Sequence, residues 1–418
     1  MRLSDYVIQF VKEQCKVDTI FTVSGGACIF LIDSLSKVDG IDYVCNHHEQ
    51  ACAIAAEGYA RKTNNLGVCL VTSGPGGTNA LTGVLGAWLD STPILVLSGQ
   101  VNREMTTNYT GLPLRQLGDQ EFNITKTVSN MTKYAVQVNE ASSIKYHLEK
   151  AYYKAKSGRP GPVWLDIPLE INPDELIGYT PQIKSIAKSK PSEINTIRKQ
   201  LSKSKKPLII VGNGVRLSNS IPELYNLLNQ TSIPVITSVN GGDIVNKDYE
   251  FYSGRFGTHA QICANNLLNE CDFVLSIGTR LYIRQLGYSY KTFAKNAYKV
   301  MVDIDSNELN KPTVFPNLKI HSDLKYFLNE LNKSPLSKSN PEWGEYCKNK
   351  FKTTPRVLDR HRNKKNIVSH YTFIEKLSQY LPKDYDVVTS DGSAHVVAMQ
   401  VLDLKGKQRL ITNKGNAP

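Results

Sequence analysis

The sequence is short of the features that would tie a protein to a metal, a membrane or an oxidising compartment. Its 8 cysteines include no Cys-x-x-Cys pair, and most lie in apolar runs, where a free thiol behaves as a small buried hydrophobe. This argues against a zinc ribbon and a disulfide framework and predicts a reducing, cytoplasmic setting. No apolar run approaches the length of a membrane span. The N-terminal MRLSDYVIQFVKEQ alternates apolar and charged residues at helical spacing, without the continuous apolar stretch of a signal peptide.

What is present is ordinary for a globular protein: 41% hydrophobic and 21% charged residues in 418. At roughly 150 residues per domain this length predicts two to three domains. The net charge of +12 raises nucleic acid as a partner. The lysines, however, concentrate at 184–206 and 348–365 with few aromatics among them. They read as solvated linker or helix faces, and no nucleic-acid-binding motif accompanies them.

Short β-branched runs near Gly or Pro recur through the first part: 17–23, 66–73, 92–99 and 161–168, with helix-like stretches at 49–63 and 78–90 between them. This alternation predicts an α/β domain with a mostly parallel sheet over residues 1–172. A polar Lys/Ser/Pro stretch at about 172–192 reads as a linker. A second α/β unit is expected over 190–332, with strands at 207–214, 233–239, 271–278 and 298–305. Another polar stretch, 333–366, precedes a third unit at 367–418, begun by a helix at 370–381 and a strand at 385–392. A parallel α/β domain of about 50 residues is too small to bury both faces of its sheet. The chain is therefore expected to be a fragment, or to lack its remainder.

Two stretches carry chemistry. In HHEQACAIAAEGYARKT (47–63), Glu49 opens a helix and shares one face with Ala53, Ala56 and Ala60. Small residues there admit another backbone. A carboxylic acid in so tight a place is poorly hydrated, which disfavours its charged form. The competing reading is an acid that complements a helix N-terminus. In VTSGPGGTNALTGVLGAWLDS (71–91), a buried strand enters a Gly-rich turn and then a helix. Glycines let a flat ligand approach the backbone, and the helix start offers free amides. The stretch lacks the Gly-Lys-Ser/Thr of a nucleotide-binding Walker loop.

The order and spacing of these stretches resemble the N-terminal pyrimidine-binding domain of thiamine-diphosphate enzymes, the acetolactate synthase type in particular. The matching strings are SGGA (24–27), HHEQACAIAAEGYAR (47–61), CLVTSGPGGTN (69–79), SGQV (98–101), QE (120–121), TK (132–133) and SGRPGPVWLDIP (157–168). The resemblance implies a thiamine-diphosphate-binding fold followed by a Rossmann-like central domain. It implies that Glu49 is the acid that hydrogen-bonds the cofactor's aminopyrimidine and promotes loss of the thiazolium C2 proton. It further implies that Pro75, Gly76 and Asn79 border the pyrimidine, and that Gly26, Gln120 and Lys133 lie near the substrate. One departure stands out: Asp119 occupies the position where such enzymes usually carry Phe. It is either a surface exchange or a more polar mouth for a different acceptor, such as a keto sugar.

The middle unit resembles the family's central domain more weakly, through VGNGV (211–215), GTHA (257–260), SIGTRLYIR (276–284) and VDIDSNEL (302–309). Tyr282-Ile283 replaces the usual Asp-Asp. The resemblance implies an FAD site involving Arg159, Gly212, Gly214, Gly278, Arg280, Asp303 and Asp305; fold alone does not settle a ligand. In the tail, Ser390-Asp391-Gly392 with Asn416 mimics the family's Mg²⁺-binding Gly-Asp-Gly…Asn. Its surroundings instead match the strand that opens the diphosphate domain. Ala394 and His395 would then flank the diphosphate, and no metal ligand is expected within this chain, the true motif lying beyond Pro418.

The implied activity is a carboligase that joins a decarboxylated pyruvate unit to a second carbonyl compound, in a homodimer or tetramer with active sites between subunits and a regulatory subunit as a further partner. The alternatives are a related enzyme with an unusual acceptor, a 2-oxoacid decarboxylase, or an incomplete fragment that folds and dimerises without turnover. Branched-chain amino-acid synthesis and polysaccharide modification are not distinguished by the residues.

Overall fold

The computed structural model describes residues 2–169, 178–181, 186–363 and 366–412. They form two units, one over residues 1–184 and one over 185–412. Among the described residues, no helix is long and apolar enough to cross a membrane.

The first unit is built on a six-stranded sheet of β1 (Thr19–Thr22), β2 (Asp42–Cys45), β3 (Gly67–Val71), β4 (Ile94–Gln100), β5 (Tyr134–Gln137) and β6 (Val163–Pro168), in the order β2-β1-β3-β4-β6-β5. All pairs are parallel. β3, β4 and β6 are buried throughout, because helices cover both faces of a parallel sheet. One face packs against helices Leu3–Glu13, Ile29–Leu35 and Ile144–Lys156, through Val7, Leu31 and Leu148 among others. The other receives helices Glu49–Thr63 and Pro75–Leu89, through Ala53, Ala56, Ala80 and Val84. A large aliphatic side chain so buried contributes about 1.5–3 kcal/mol.

The four central apolar runs appear as strands. β2 and β5 are additional, and both are edge strands: all four β2 residues are exposed, and β5 is mostly half-buried. An edge strand covered by little needs no apolar run, so periodicity does not announce it. The second helix begins at Pro75, three residues earlier than the expected 78, with proline at its first position, where a missing N–H costs nothing.

The second unit repeats the architecture. β7 (Pro207–Val211), β8 (Val235–Thr237), β9 (Tyr252–Arg255), β10 (Phe273–Ile277), β11 (Tyr298–Asp303) and β12 (Leu318–His321) form a parallel sheet in the order β12-β11-β10-β7-β8-β9. β9 and β12, again the edges, lie outside the four expected runs. The polar stretch 333–366 is not uniformly solvated. It contains helix Pro341–Thr353, which buries Trp343 and Cys347 in the core; the Trp343 Nε1–H donates to the Pro207 carbonyl at 2.9 Å. Its lysines lie on the outer side, and composition averaged over both faces hid the buried one.

Residues 370–412 pack within this same unit. They hold helices His370–Tyr380 and Ser393–Val401 and the short parallel pair β13 (Val387–Thr389) and β14 (Leu410–Thr412). The fully buried Arg255 guanidinium donates to the carbonyls of Met399 and Leu402 at the C-terminal end of helix Ser393–Val401. A cation there also complements the helix dipole.

Candidate functional site

In the first unit the chain leaves β1 and β3 towards opposite faces of the sheet. The turn after β1 leads into Ile29–Leu35, and the turn after β3 leads into Pro75–Leu89. Between adjacent strands whose connections diverge, a crevice opens at the carboxyl ends, the usual ligand position in such sheets. The expected residues Gly26, Glu49, Pro75, Gly76 and Asn79 all lie in the segments that follow β1, β2 and β3.

Glu49 is the first residue of its helix, and His48 caps that helix by accepting the Gln50 N–H at Nδ1, 3.1 Å. The expected face is real: Glu49, Ala53, Ala56 and Ala60 are all buried, Glu49 at 9% exposure. The neighbouring helix comes close because both sides are small. A Cβ added to Gly83 would lie 2.5 Å from the Ala53 Cβ. That approach brings the Asn79 side-chain amide to Glu49, and Nδ2 donates to Oε2 at 3.0 Å. The other oxygen, Oε1, lies beside Gly76, where an added Cβ would sit 3.7 Å away and 2.7 Å from the Thr72 Cγ2. Thr72 in turn fills the space beside Gly25. Thr72 was not singled out from sequence; its signal was only its place between a buried strand and a Gly-rich turn.

Gln120 joins this group. Its carbonyl oxygen lies against Gly74, where a Cβ would come within 2.1 Å, and Gly74 itself has φ +50. Any other residue there would be both strained and obstructed. Gln120 and its neighbour Asp119 are exposed, as is Gly26. Glu49 and Gly76 are buried, the exposed Asn79 reaches Glu49 from the neighbouring helix, and Gly26, Asp119 and Gln120 lie at the surface.

Lys133 and Arg159 are placed elsewhere. Lys133 immediately precedes β5 and Arg159 precedes β6, at the amino ends of the strands, across the sheet from Glu49. The Lys133 ammonium donates to the carbonyls of Ser157 and Arg159 at 2.5 and 2.7 Å, and its burial lowers its pKa to about 8. Arg159 Nε donates to Ser91 Oγ at 2.8 Å. Within this unit Lys133 is tied to a loop that Glu49 does not approach.

In the second unit the connections diverge between β7 and β10, and Gly212, Gly214 and Gly278 lie there. These glycines meet one another. An added Cβ at Gly212 would be 2.2 Å from the Gly278 carbonyl oxygen, and the Gly214 N–H donates to that oxygen at 2.8 Å. Their small size first serves the contact between two turns. Asp303 ends β11 and accepts the Asp305 N–H at 2.9 Å; Asp305 caps the following helix. Arg280 lies over the Tyr282 ring and 3.9 Å from Glu308. Ala394 and His395 occupy the first turn of Ser393–Val401, Ala394 exposed and His395 buried. Asp391 lies in the turn between β13 and that helix; Asn416 is outside the described residues. No group of three or more His, Cys, Asp or Glu placed to hold a metal ion occurs among the described residues.

A parallel α/β unit with a buried acid and a glycine cradle at the point where its connections diverge defines a ligand-binding domain of the kind found in cofactor-dependent enzymes. Comparison with known proteins identifies which. Residues 1–126 match the thiamine pyrophosphate enzyme N-terminal TPP binding domain, and residues 194–331 match the thiamine pyrophosphate enzyme central domain. The acetolactate synthase large subunit of Lactococcus lactis is 32% identical over 99% of this chain and 70% of its own length. The acetolactate synthase isozyme 2 large subunit of Escherichia coli is 30% identical over 99% of this chain and 73% of its own. The chloroplastic acetolactate synthase of Arabidopsis thaliana is 33% identical over 79% of this chain and 48% of its own. The chain belongs to the thiamine pyrophosphate enzyme family and is of the acetolactate synthase type.

Proposed function

We propose that this protein is a thiamine-diphosphate-dependent carboligase that transfers the two-carbon unit of pyruvate to a second carbonyl compound, as its acetolactate synthase relatives are named for doing. The observation that carries this reading is the Glu49 carboxyl, buried at the head of its helix, held by Asn79 and faced by Gly76. A flat aminopyrimidine fits such a place. The glycines leave room that a Cβ would fill, and Asn79 occupies one carboxyl oxygen while leaving the other beside the cradle.

Thiamine diphosphate, when bound, supplies the electron sink for cleaving a 2-oxoacid. The chain's own residues bind and orient it. Glu49 holds the proton shared with the pyrimidine nitrogen, and Asn79 fixes the rotamer of Glu49. The packed helices Glu49–Thr63 and Pro75–Leu89 keep water from that proton, which strengthens the hydrogen bond. Pro75 borders the ring, and Gly26 and Gln120 lie where a substrate would enter. In the second unit Ala394 and His395 begin a helix whose free amides suit a diphosphate, with Mg²⁺ as its counter-ion. FAD is proposed at the crevice of Gly212, Gly214, Gly278, Arg280, Asp303 and Asp305. The working form is a cytoplasmic homodimer or tetramer, with a regulatory subunit as a partner. Lys133 has no part in this reading.

Asp119, exposed beside Gln120 where relatives of this type usually carry Phe, favours a second reading for the acceptor alone: a hydroxylated carbonyl compound such as a keto sugar. Incubating the full-length protein with pyruvate, Mg²⁺ and thiamine diphosphate, with and without a panel of acceptors, tests both. Acetolactate, or a sugar adduct, is expected. Acetaldehyde alone would assign a decarboxylase instead, and no cofactor-dependent product would refute the reading.

A further inference from the structure

Gln120 adopts a backbone conformation that a side-chain-bearing residue rarely holds, with φ +56. Such a conformation persists only where its surroundings over-determine it. On one flank, Glu121 is buried and accepts three hydrogen bonds: Thr107 N–H at 3.1 Å, Thr107 Oγ1 at 2.9 Å and Leu117 N–H at 3.3 Å. One residue further along the same flank, the Phe122 carbonyl accepts from Gln100 Nε2 at 3.2 Å and from the Ile124 N–H at 2.8 Å.

Gln100 is the last residue of β4, and its amide is oriented at both ends. Oε1 accepts the Val101 N–H at 2.9 Å, so Nε2 must face the other way. There it meets Asp166 Oδ2 at 3.1 Å as well as Phe122. Asp166 is itself held by Ser98 Oγ at 2.5 Å, and Ser98 by the indole N–H of Trp164 at 2.8 Å. All four of these side chains are buried. Burial, with the nearby Glu121 charge, pushes the Asp166 carboxyl up to about 7, against the pull of Ser98 and Gln100. A buried polar network whose members satisfy one another holds its side chains in one orientation.

We propose that Gln100, oriented by Asp166, is a positioning residue that holds Gln120 in its turn over Gly74, and so sets the geometry of the substrate entrance. The relay runs from Asp166 in β6 through Gln100 at the end of β4 to the strap at 118–122, whose Gln120 carbonyl lies against Gly74. It rests on the functional reading only for what the entrance admits.

The test uses full-length protein and reads hydrogen exchange at the bonded amides of Gly118, Glu121 and Ile124. Gln100→Met keeps the volume and removes the donor. Asp166→Asn leaves one acceptor oxygen for two donors, Ser98 Oγ and Gln100 Nε2, and removes the carboxylate charge from both bonds. Trp164→Phe cuts a bond in the same network without touching the relay. Gln100→Met and Asp166→Asn should each speed exchange in the strap and raise KM for the 2-oxoacid by about tenfold, the loss of one hydrogen bond, with affinity for thiamine diphosphate unchanged. Adding Asp166→Asn to Gln100→Met should change strap exchange no further, because Asp166 acts through that amide. Unchanged exchange in either single variant, additive effects, or equal loosening by Trp164→Phe would overturn the proposal. A wild-type protein that binds no thiamine diphosphate would instead remove the functional reading and leave the exchange result to judge the relay.

Discussion

The Asn79 amide donates to the Glu49 carboxyl at 3.0 Å, across the seam between two helices. The contact links residues 30 positions apart, and it depends on Ala53 and Gly83 being small enough for the seam to close. Asn79→Ala should therefore leave the fold intact and release Glu49 from its rotamer. Loss of one hydrogen bond costs about 0.5–1.5 kcal/mol, so turnover should fall by about twofold to tenfold. Glu49→Gln should fall further, by at least the 10²–10⁴ typical of a lost general acid. Exchange of the cofactor's C2 proton, followed by NMR, checks both. Exchange as fast in Glu49→Gln as in the wild type would remove Glu49 from the chemistry.

Gly83 tests the seam itself. Gly83→Val places a branched side chain where even a Cβ meets Ala53 at 2.5 Å and the Ile54 backbone nitrogen at 3.0 Å. Neither neighbour is a flexible side-chain end, so the helices must move apart. Overpacking of this kind costs about 1–3 kcal/mol. Chemical denaturation should show that loss, and the Asn79–Glu49 contact should weaken with it, seen as a lower affinity for thiamine diphosphate. Full stability with full affinity would mean that the seam tolerates separation.

Glu57 supplies a pH dependence separate from turnover. It is buried on the helix that begins with Glu49. Its pKa is raised from 4.5 to about 7, mainly by desolvation, with Asp90 adding and Arg61 opposing at 3.3 Å. A carboxyl whose folded-state pKa lies above its unfolded value binds its proton more tightly when folded. Its contribution is present at low pH and is lost as pH rises through about 4.5 to 7. That loss is on the order of 3 kcal/mol. Glu57→Gln should flatten the fall in stability between these pH values, measured by denaturant midpoints. An unchanged slope would show that Glu57 is charged throughout.

Much of the first unit was legible in the residues. The runs at 66–73 and 92–99 hold strands buried on both sheet faces, so their middle residues, 68–71 and 94–97, are continuously apolar. The helix at 49–63 was readable to its ends, since the Ala face behind Glu49 is a local feature. β2, β5 and β12 were not, because partly exposed edge strands are specified by pairing with a neighbour and need little apolar character. β9 was not, because its four buried residues, Tyr-Ser-Gly-Arg, form no apolar run. Helix Pro341–Thr353 was hidden for a related reason: Trp343 and Cys347 mark its buried side among lysines that mark the other.

The order of residues alone marked the candidate groups for the chemistry: an acid opening an alanine-faced helix, then a glycine turn and an asparagine one turn into the next helix. These are local properties of short segments, set by spacing along the chain. Which groups meet was decided only in three dimensions. Folding joined Asn79 to Glu49, placed Thr72 between Gly25 and Gly76, and set Gln120 over Gly74, while it carried Lys133 to the far end of the strands. A parallel sheet separates its strand ends by the length of a strand and collects distant loops at each end, so neighbours in the site are not neighbours in sequence.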